Sequence, residues 1–124
     1  MYEQHKHLPL QEMILSIQDY INHFSIDNEA AFRKFLSVVI AGEAPESKRG
    51  ARRVSVLRMV MQNGKFDIEN PEVKNLIHIA TLLMGMEAFI VTKDVCRLGD
   101  QESIDVLKWG LDKILQATLT QLDN

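Results

Sequence analysis

An acid sits within the most apolar stretch of this chain. Between Leu76 and Val91 only His78, Thr81, Gly85 and Glu87 interrupt a run of apolar residues. At helical spacing Glu87 falls in the stripe of Leu76, Ala80, Leu83, Ile90 and Val91. An ionised carboxylate in such a stripe is costly unless a cation, a donor or water reaches it. It can orient a cationic or hydrogen-bonding ligand inside a mostly apolar pocket, where a few polar groups set orientation. It can equally pair with an arginine of the third helix, or reach solvent at a groove. As a catalytic acid it lacks a partner, since Asp94 lies nearly two helical turns away.

The other reactive residue types are scattered. His5 and His7 are one residue apart near the start, with no Cys, Asp or third His beside them, so no metal site is expected there. His23 falls near a helix C-terminus, where a cation is favoured, and His78 reads as interface or surface. Cys96 has Lys93 and Arg97 nearby but no local His to act as base, so it reads as an inert helical cysteine. No glycine-rich phosphate loop, nucleophile elbow or paired metal motif occurs. The expectation is a protein with no catalytic residue, no metal and no cofactor.

Charge is uneven. Lys48, Arg49, Arg52, Arg53, Arg58 and Lys65 cluster between Ser47 and Lys65 with no acid among them, whereas both flanks are net acidic. Arg49, Arg52 and Arg53 share a helical face suited to phosphate contacts. The plainer reading is a solvated face, or bases lying against the acidic remainder of the fold. Stacking aromatics and a recognition-helix pattern are absent from the segment, and the net charge of −3 draws the whole molecule to neither nucleic acid nor anionic lipid.

The periodicity predicts five helices and no strand pair, an all-α bundle. The first begins at Pro9, carries Leu10, Met13, Ile14, Ile17, Ile21 and Phe24, and ends about His23. Asp27 can cap a second, with Phe32, Phe35, Leu36 and Val39 on one face and Gly42 and Pro45 at its end. Ser47 can cap a third, striped by Val54, Leu57 and Met61 and closed by Asn63-Gly64. Residues 65–69 link to two long helices. Asn70 caps the fourth with Pro71 at its first position, and Leu98-Gly99-Asp100 supplies a left-handed stop and a new cap, so the last two run antiparallel as a hairpin.

A fourth helix that is apolar nearly all round must be covered on both sides. A membrane span is excluded by the shortness of the run and by His78 and Glu87. The expectation is core on one side and a subunit interface on the other. Lys74, His78, Thr81, Gly85, Ala88 and Thr92 form a stripe of small or polar residues, and Val106, Gly110 and Ala117 line up on the fifth helix beside Trp109. Glycine inside a helix costs up to about 1 kcal/mol against alanine and wants a packing reason. That reason is either a partner subunit or the contact between the two helices of one chain.

The length of 124 residues suits one domain, with residues 1–8 as a loose tail. One cysteine excludes an internal disulfide and fits a reducing cytoplasm, and no basic-then-apolar leader opens the chain. Six methionines against 6% aromatics suit a core that can repack around different shapes.

Three segments, "SKRGARRVSVLRMVMQNG", "NPEVKNLIHIATLLMGMEAFIVTKDVCRLG" and "DQESIDVLKWGLDKILQATL", together resemble the C-terminal regulatory domain of TetR-family transcriptional repressors. The resemblance implies a homodimer whose last two helices pack against their symmetry mates, with His78, Thr81, Gly85, Ala88, Val106, Trp109, Gly110 and Ala117 facing the partner. It further implies a pocket for a small, largely apolar effector, with Met13, Ile17, Phe32, Phe35, Leu57, Met61, Leu83, Met84 and Glu87 on the pocket side. The family's helix-turn-helix reader has no counterpart in this chain, so DNA would be reached only through a reader domain outside it. A helical adaptor that binds a protein partner without ligand is the competing expectation.

Overall fold

The computed structural model describes residues 8–42 and 51–122, which form six helices and, among the described residues, no strand. They are α1 (Leu8–Asp27), α2 (Glu29–Ile40), α3 (Ala51–Asn63), α4 (Pro71–Leu82), α5 (Met86–Phe89, continuing as a π-helical stretch Ile90–Val95) and α6 (Asp100–Leu122). The all-α expectation holds. The expected Ser47 cap, the Pro45 stop and the tail up to His7 lie outside the described residues.

Helix α1 runs four residues past the expected end at His23. Within this extension Ser25 is buried and donates its hydroxyl to the carbonyl of Ile21 at 2.8 Å, so its polar group is satisfied inside the helix. The turn into α2 is the single residue Asn28, not a loop capped by Asp27; Asn28 donates to the Phe24 carbonyl and accepts from Phe32 N–H. Helix α3 closes differently too. The left-handed residue is Lys65 (φ 68°), and Phe66 N–H reaches back to the Met61 carbonyl at 3.0 Å. Gly64 matters for closeness, because a β-carbon there would lie 3.0 Å from Leu10 of α1.

The Asn70 cap is as expected. Its side chain accepts from Glu72 N–H at 2.8 Å, with Pro71 opening α4. The long fourth helix is not continuous, however. It breaks at Leu83-Met84-Gly85, and α4 and the segment from Met86 to Val95 diverge by 63°. At the far end the left-handed stop is Arg97 (φ 62°), not Gly99. Gly99 starts α6, accepting from Ser103 N–H while donating its own N–H to Glu102 Oε1 at 3.2 Å.

The bend splits the core. One cluster joins α1, α3, α4 and the C-terminal half of α6 around Ile14, Leu57, Met61, Leu76, Ala80 and Leu111. The other joins α5 to the start of α6 through Met86, Phe89, Ile104 and Leu107. Helix α6 packs on α1 as well as α4, so the last two helices are not a self-contained hairpin. Its buried positions, Ser103, Ile104, Leu107, Leu111, Leu115 and Leu119, keep the spacing of a single apolar stripe. No single helix among the described residues is long and apolar enough to cross a membrane.

Candidate ligand cavity beside the helix break

The break exposes three consecutive backbone groups, and side chains from two other helices satisfy them. Gln18 Nε2 donates to the Leu83 carbonyl at 3.0 Å and also to the Leu107 carbonyl at 2.9 Å. Arg53 Nη1 donates to the Met84 carbonyl at 2.6 Å. Gly85 N–H donates to Asn22 Oδ1 at 2.8 Å. Gln18 and Asn22 stand one turn apart on α1 and are each 1% exposed. Buried backbone groups must find partners, and these polar side chains in an apolar helix exist to provide them.

Arg53 also answers the question posed by Glu87. Its Nη2 and Nη1 donate to Glu87 Oε2 and Oε1 at 2.9 and 3.1 Å, a two-pronged pair across 34 residues of chain. Glu87 is therefore held by an arginine of the third helix, one of the three alternatives open in the sequence.

A cavity of about 420 Å³ opens against this pair. Helix α1 lines it with Tyr20, Ile21, Phe24 and Ser25, α2 with Phe32, Phe35 and Leu36, α3 with Arg52, Arg53 and Val56, and the bend with Gly85, Met86 and Glu87. The aromatic wall is continuous. Tyr20 and Phe24 stack at 6.3 Å between ring centres, and Phe24 meets Phe32 tilted at 5.6 Å. The size and the mostly apolar lining with a few polar groups are those of a small-molecule site. A larger hollow of about 800 Å³ runs along α1 beside Glu12, Asp19, Asp27 and Lys108. It lies on the outer side of that helix and shares only Tyr20 and Phe24 with the cavity.

Of the residues expected at a pocket, Phe32, Phe35 and Glu87 line the cavity. The others do not. Leu57, Met61 and Met84 are core, at 1%, 1% and 0% exposure, because α3 and the end of α4 face each other there. Ile17 and Leu83 pack partly buried against that core, and Met13 is exposed, two turns before Tyr20 on α1 and outside the cavity lining. The aromatic pair Tyr20 and Phe24 and the cations Arg52 and Arg53 were missed. Their signal in the sequence was the apolar Ile21–Phe24 edge of the first helix and the unexplained basic run.

The wall formed by α2 is tied down from outside. Arg33 donates Nε to Glu29 at 2.8 Å and both terminal nitrogens to Asp94 at 2.9 Å. Lys93 Nζ bridges Glu29 Oε1 and Asp100 Oδ1, each at 2.6 Å. Lys93 and then Arg33 hold the Glu29 carboxyl below the usual carboxylate range, and Arg33 does the same to Asp94. The cations shift the opposite way, Arg33 through Asp94 first and Lys93 through Asp100 first. Lys93 thus belongs to this network and not to Cys96, which is exposed.

The expected partner-facing residues divide. Gly85 and Ala88 are buried by their own chain, Gly85 against Arg53 and Asn22 and Ala88 in the α5–α6 cluster, so neither faces a partner; the bend turned them inward. Thr81 is half-buried, its hydroxyl donated to the Ile77 carbonyl. His78, Val106, Trp109 and Ala117 are exposed, and nothing lies within 4 Å of a β-carbon built on Gly110. Trp109 is 64% exposed, with Leu82 on α4 at 63% and Val95 on α5 at 72%.

Arg49, one of the three arginines expected on a phosphate face, lies outside the described residues, and Arg53 pairs with Glu87. Among the described residues no group of three His, Cys, Asp or Glu side chains could hold a metal ion. No protein-family model matches the sequence, and neither a curated protein nor a solved structure matches the chain.

Proposed function

We propose that this chain is an effector-binding and homodimerising regulatory domain of the TetR C-terminal type, acting by binding and not by catalysis. The reading rests chiefly on the aromatic-lined cavity between α1, α2 and α3, whose floor is the bend that joins α4 to α5. A ligand seated there touches Gly85, Met86 and Glu87, so it favours one angle between the two segments over another. In an intact repressor that shift would alter the spacing of two DNA-reading heads. A reducing cytoplasm suits the single free cysteine. Thermal-shift screening with small apolar compounds tests the cavity: stabilisers are expected, and Val56→Trp, which fills the cavity from its rim, abolishes their effect. A screen without a single stabiliser removes the sensing claim.

The dimer half of the reading rests on the exposed face of α6, where Val106, Trp109, Gly110 and Ala117 follow helical spacing. A large exposed aromatic beside small residues suits close helix packing. Sedimentation is expected to show a dimer at micromolar concentration that Trp109→Glu converts to a monomer. The same face supports the adaptor reading. A monomer in sedimentation, with a protein partner lost on Trp109→Glu, favours the adaptor over the dimer.

A further inference from the structure

Among the described residues, the cavity lining holds two cations, Arg52 and Arg53, and one anion, Glu87. Arg53 and Glu87 neutralise each other through two hydrogen bonds, and Arg53 is further committed to the Met84 carbonyl. Arg52 is the next residue on α3. It is exposed, so it stands at the solvent side of the cavity, and no carboxylate among the described residues pairs with it. The other described lining residues are apolar, aromatic or neutral: Tyr20, Phe24, Phe32, Phe35, Val56 and Met86 form the body of the site.

We propose that the cavity takes an amphipathic anion: a molecule whose apolar body lies among these aromatics and whose single carboxylate, or an equivalent oxyanion, meets Arg52 at the mouth. This rests on the cavity being a ligand site, and it names the class of ligand. A cation is disfavoured twice, because Glu87 is already satisfied and Arg52 repels it. A neutral molecule of the same shape gains the apolar contacts alone. The planar guanidinium presents a fork of donors that suits a carboxylate. The Arg53–Glu87 pair then forms the neutral inner wall, against which the far end of the molecule rests.

Titration calorimetry with three chain-matched probes below their micellar concentrations tests the assignment: decanoate, decanol and decyltrimethylammonium. Decanoate is expected to bind about two- to fivefold more tightly than decanol, with an advantage that shrinks as salt rises, and decyltrimethylammonium most weakly. Arg52→Gln is expected to bring decanoate down to the level of decanol while leaving decanol unchanged. Val56→Trp is expected to weaken decanoate and decanol alike. Decanol or the ammonium probe binding as tightly as decanoate, or an advantage that survives Arg52→Gln, overturns the anion assignment while the cavity reading stands. If no probe binds, the anion assignment falls, and the thermal-shift screen decides the cavity reading separately.

Discussion

The guanidinium of Arg53 fills the space into which a β-carbon on Gly85 would project. Gly85 has φ +97°, a conformation that side chains rarely adopt, and the vacated volume lets Arg53 reach both the Met84 carbonyl and Glu87. A glycine and an arginine 32 residues apart are thus one device, which breaks the apolar helix and ties the break to the cavity wall.

Gly85→Ala should therefore cost stability by about 2 to 4 kcal/mol, from the left-handed backbone and the displaced guanidinium together. Gly110→Ala is the contrast. It lies within α6 with nothing within 4 Å, so in a single chain it should stabilise by about 0.5 to 1 kcal/mol. Urea unfolding of both variants measures the two signs; a harmless Gly85→Ala contradicts the packing described.

Asn22→Leu leaves the Gly85 N–H without its acceptor in a buried site. The loss should be about 1 to 3 kcal/mol despite the gain in apolar surface. Hydrogen exchange at the Gly85 amide should quicken in the same variant. An unchanged exchange rate would show that Asn22 does not hold the bend.

The Arg53–Glu87 pair is only partly covered, with side-chain exposures of 15% and 29%. Its geometry is two-pronged, so its coupling should exceed that of a surface pair and stay below that of a buried one. A double-mutant cycle of Glu87→Gln and Arg53→Met should return about 1 to 3 kcal/mol. A coupling near zero means the break stands without the pair.

Acid should loosen α2 from α5. Glu29 and Asp94 have pKa values lower in the folded protein than in the unfolded chain, so their contribution is present above the ordinary carboxylate range and lost as pH falls through the folded values. The loss should begin below about pH 5. For Lys93 the sign is reversed: its raised pKa gives stability that persists through neutral pH and disappears only in strong alkali. Arg33→Gln removes the cation common to both carboxylates, so its melting temperature should fall less than that of the wild-type chain between neutral pH and acid. High salt should narrow the same gap, because much of the network is exposed.

Much of this was legible in the sequence because it is local. Helical periodicity needs only residues three or four apart, and the Asn70-Pro71 start depends on neighbours in the chain. That Glu87 needs a partner followed from the cost of an acid in an apolar stripe, with an arginine of the third helix among the candidates. The Gly85 break was not legible. The stretch from Asn70 to Leu98 has good helical spacing, and nothing within it says that Gln18, Asn22 and Arg53 will offer better partners to Leu83, Met84 and Gly85 than the helix itself.

That one bend decides what the sequence left open. Gly85 and Ala88, expected on an outer stripe, are buried beside the 63° bend, and Leu57, Met61 and Met84, placed at a pocket only by the family resemblance, are buried in core. The sequence by itself determined that the chain is helical, where most of its helices lie and that Glu87 needs a partner. Only the tertiary structure decided which faces close on one another, because a hydrogen bond between residues far apart in the chain outcompeted the local one, and no pattern within either segment records that contest.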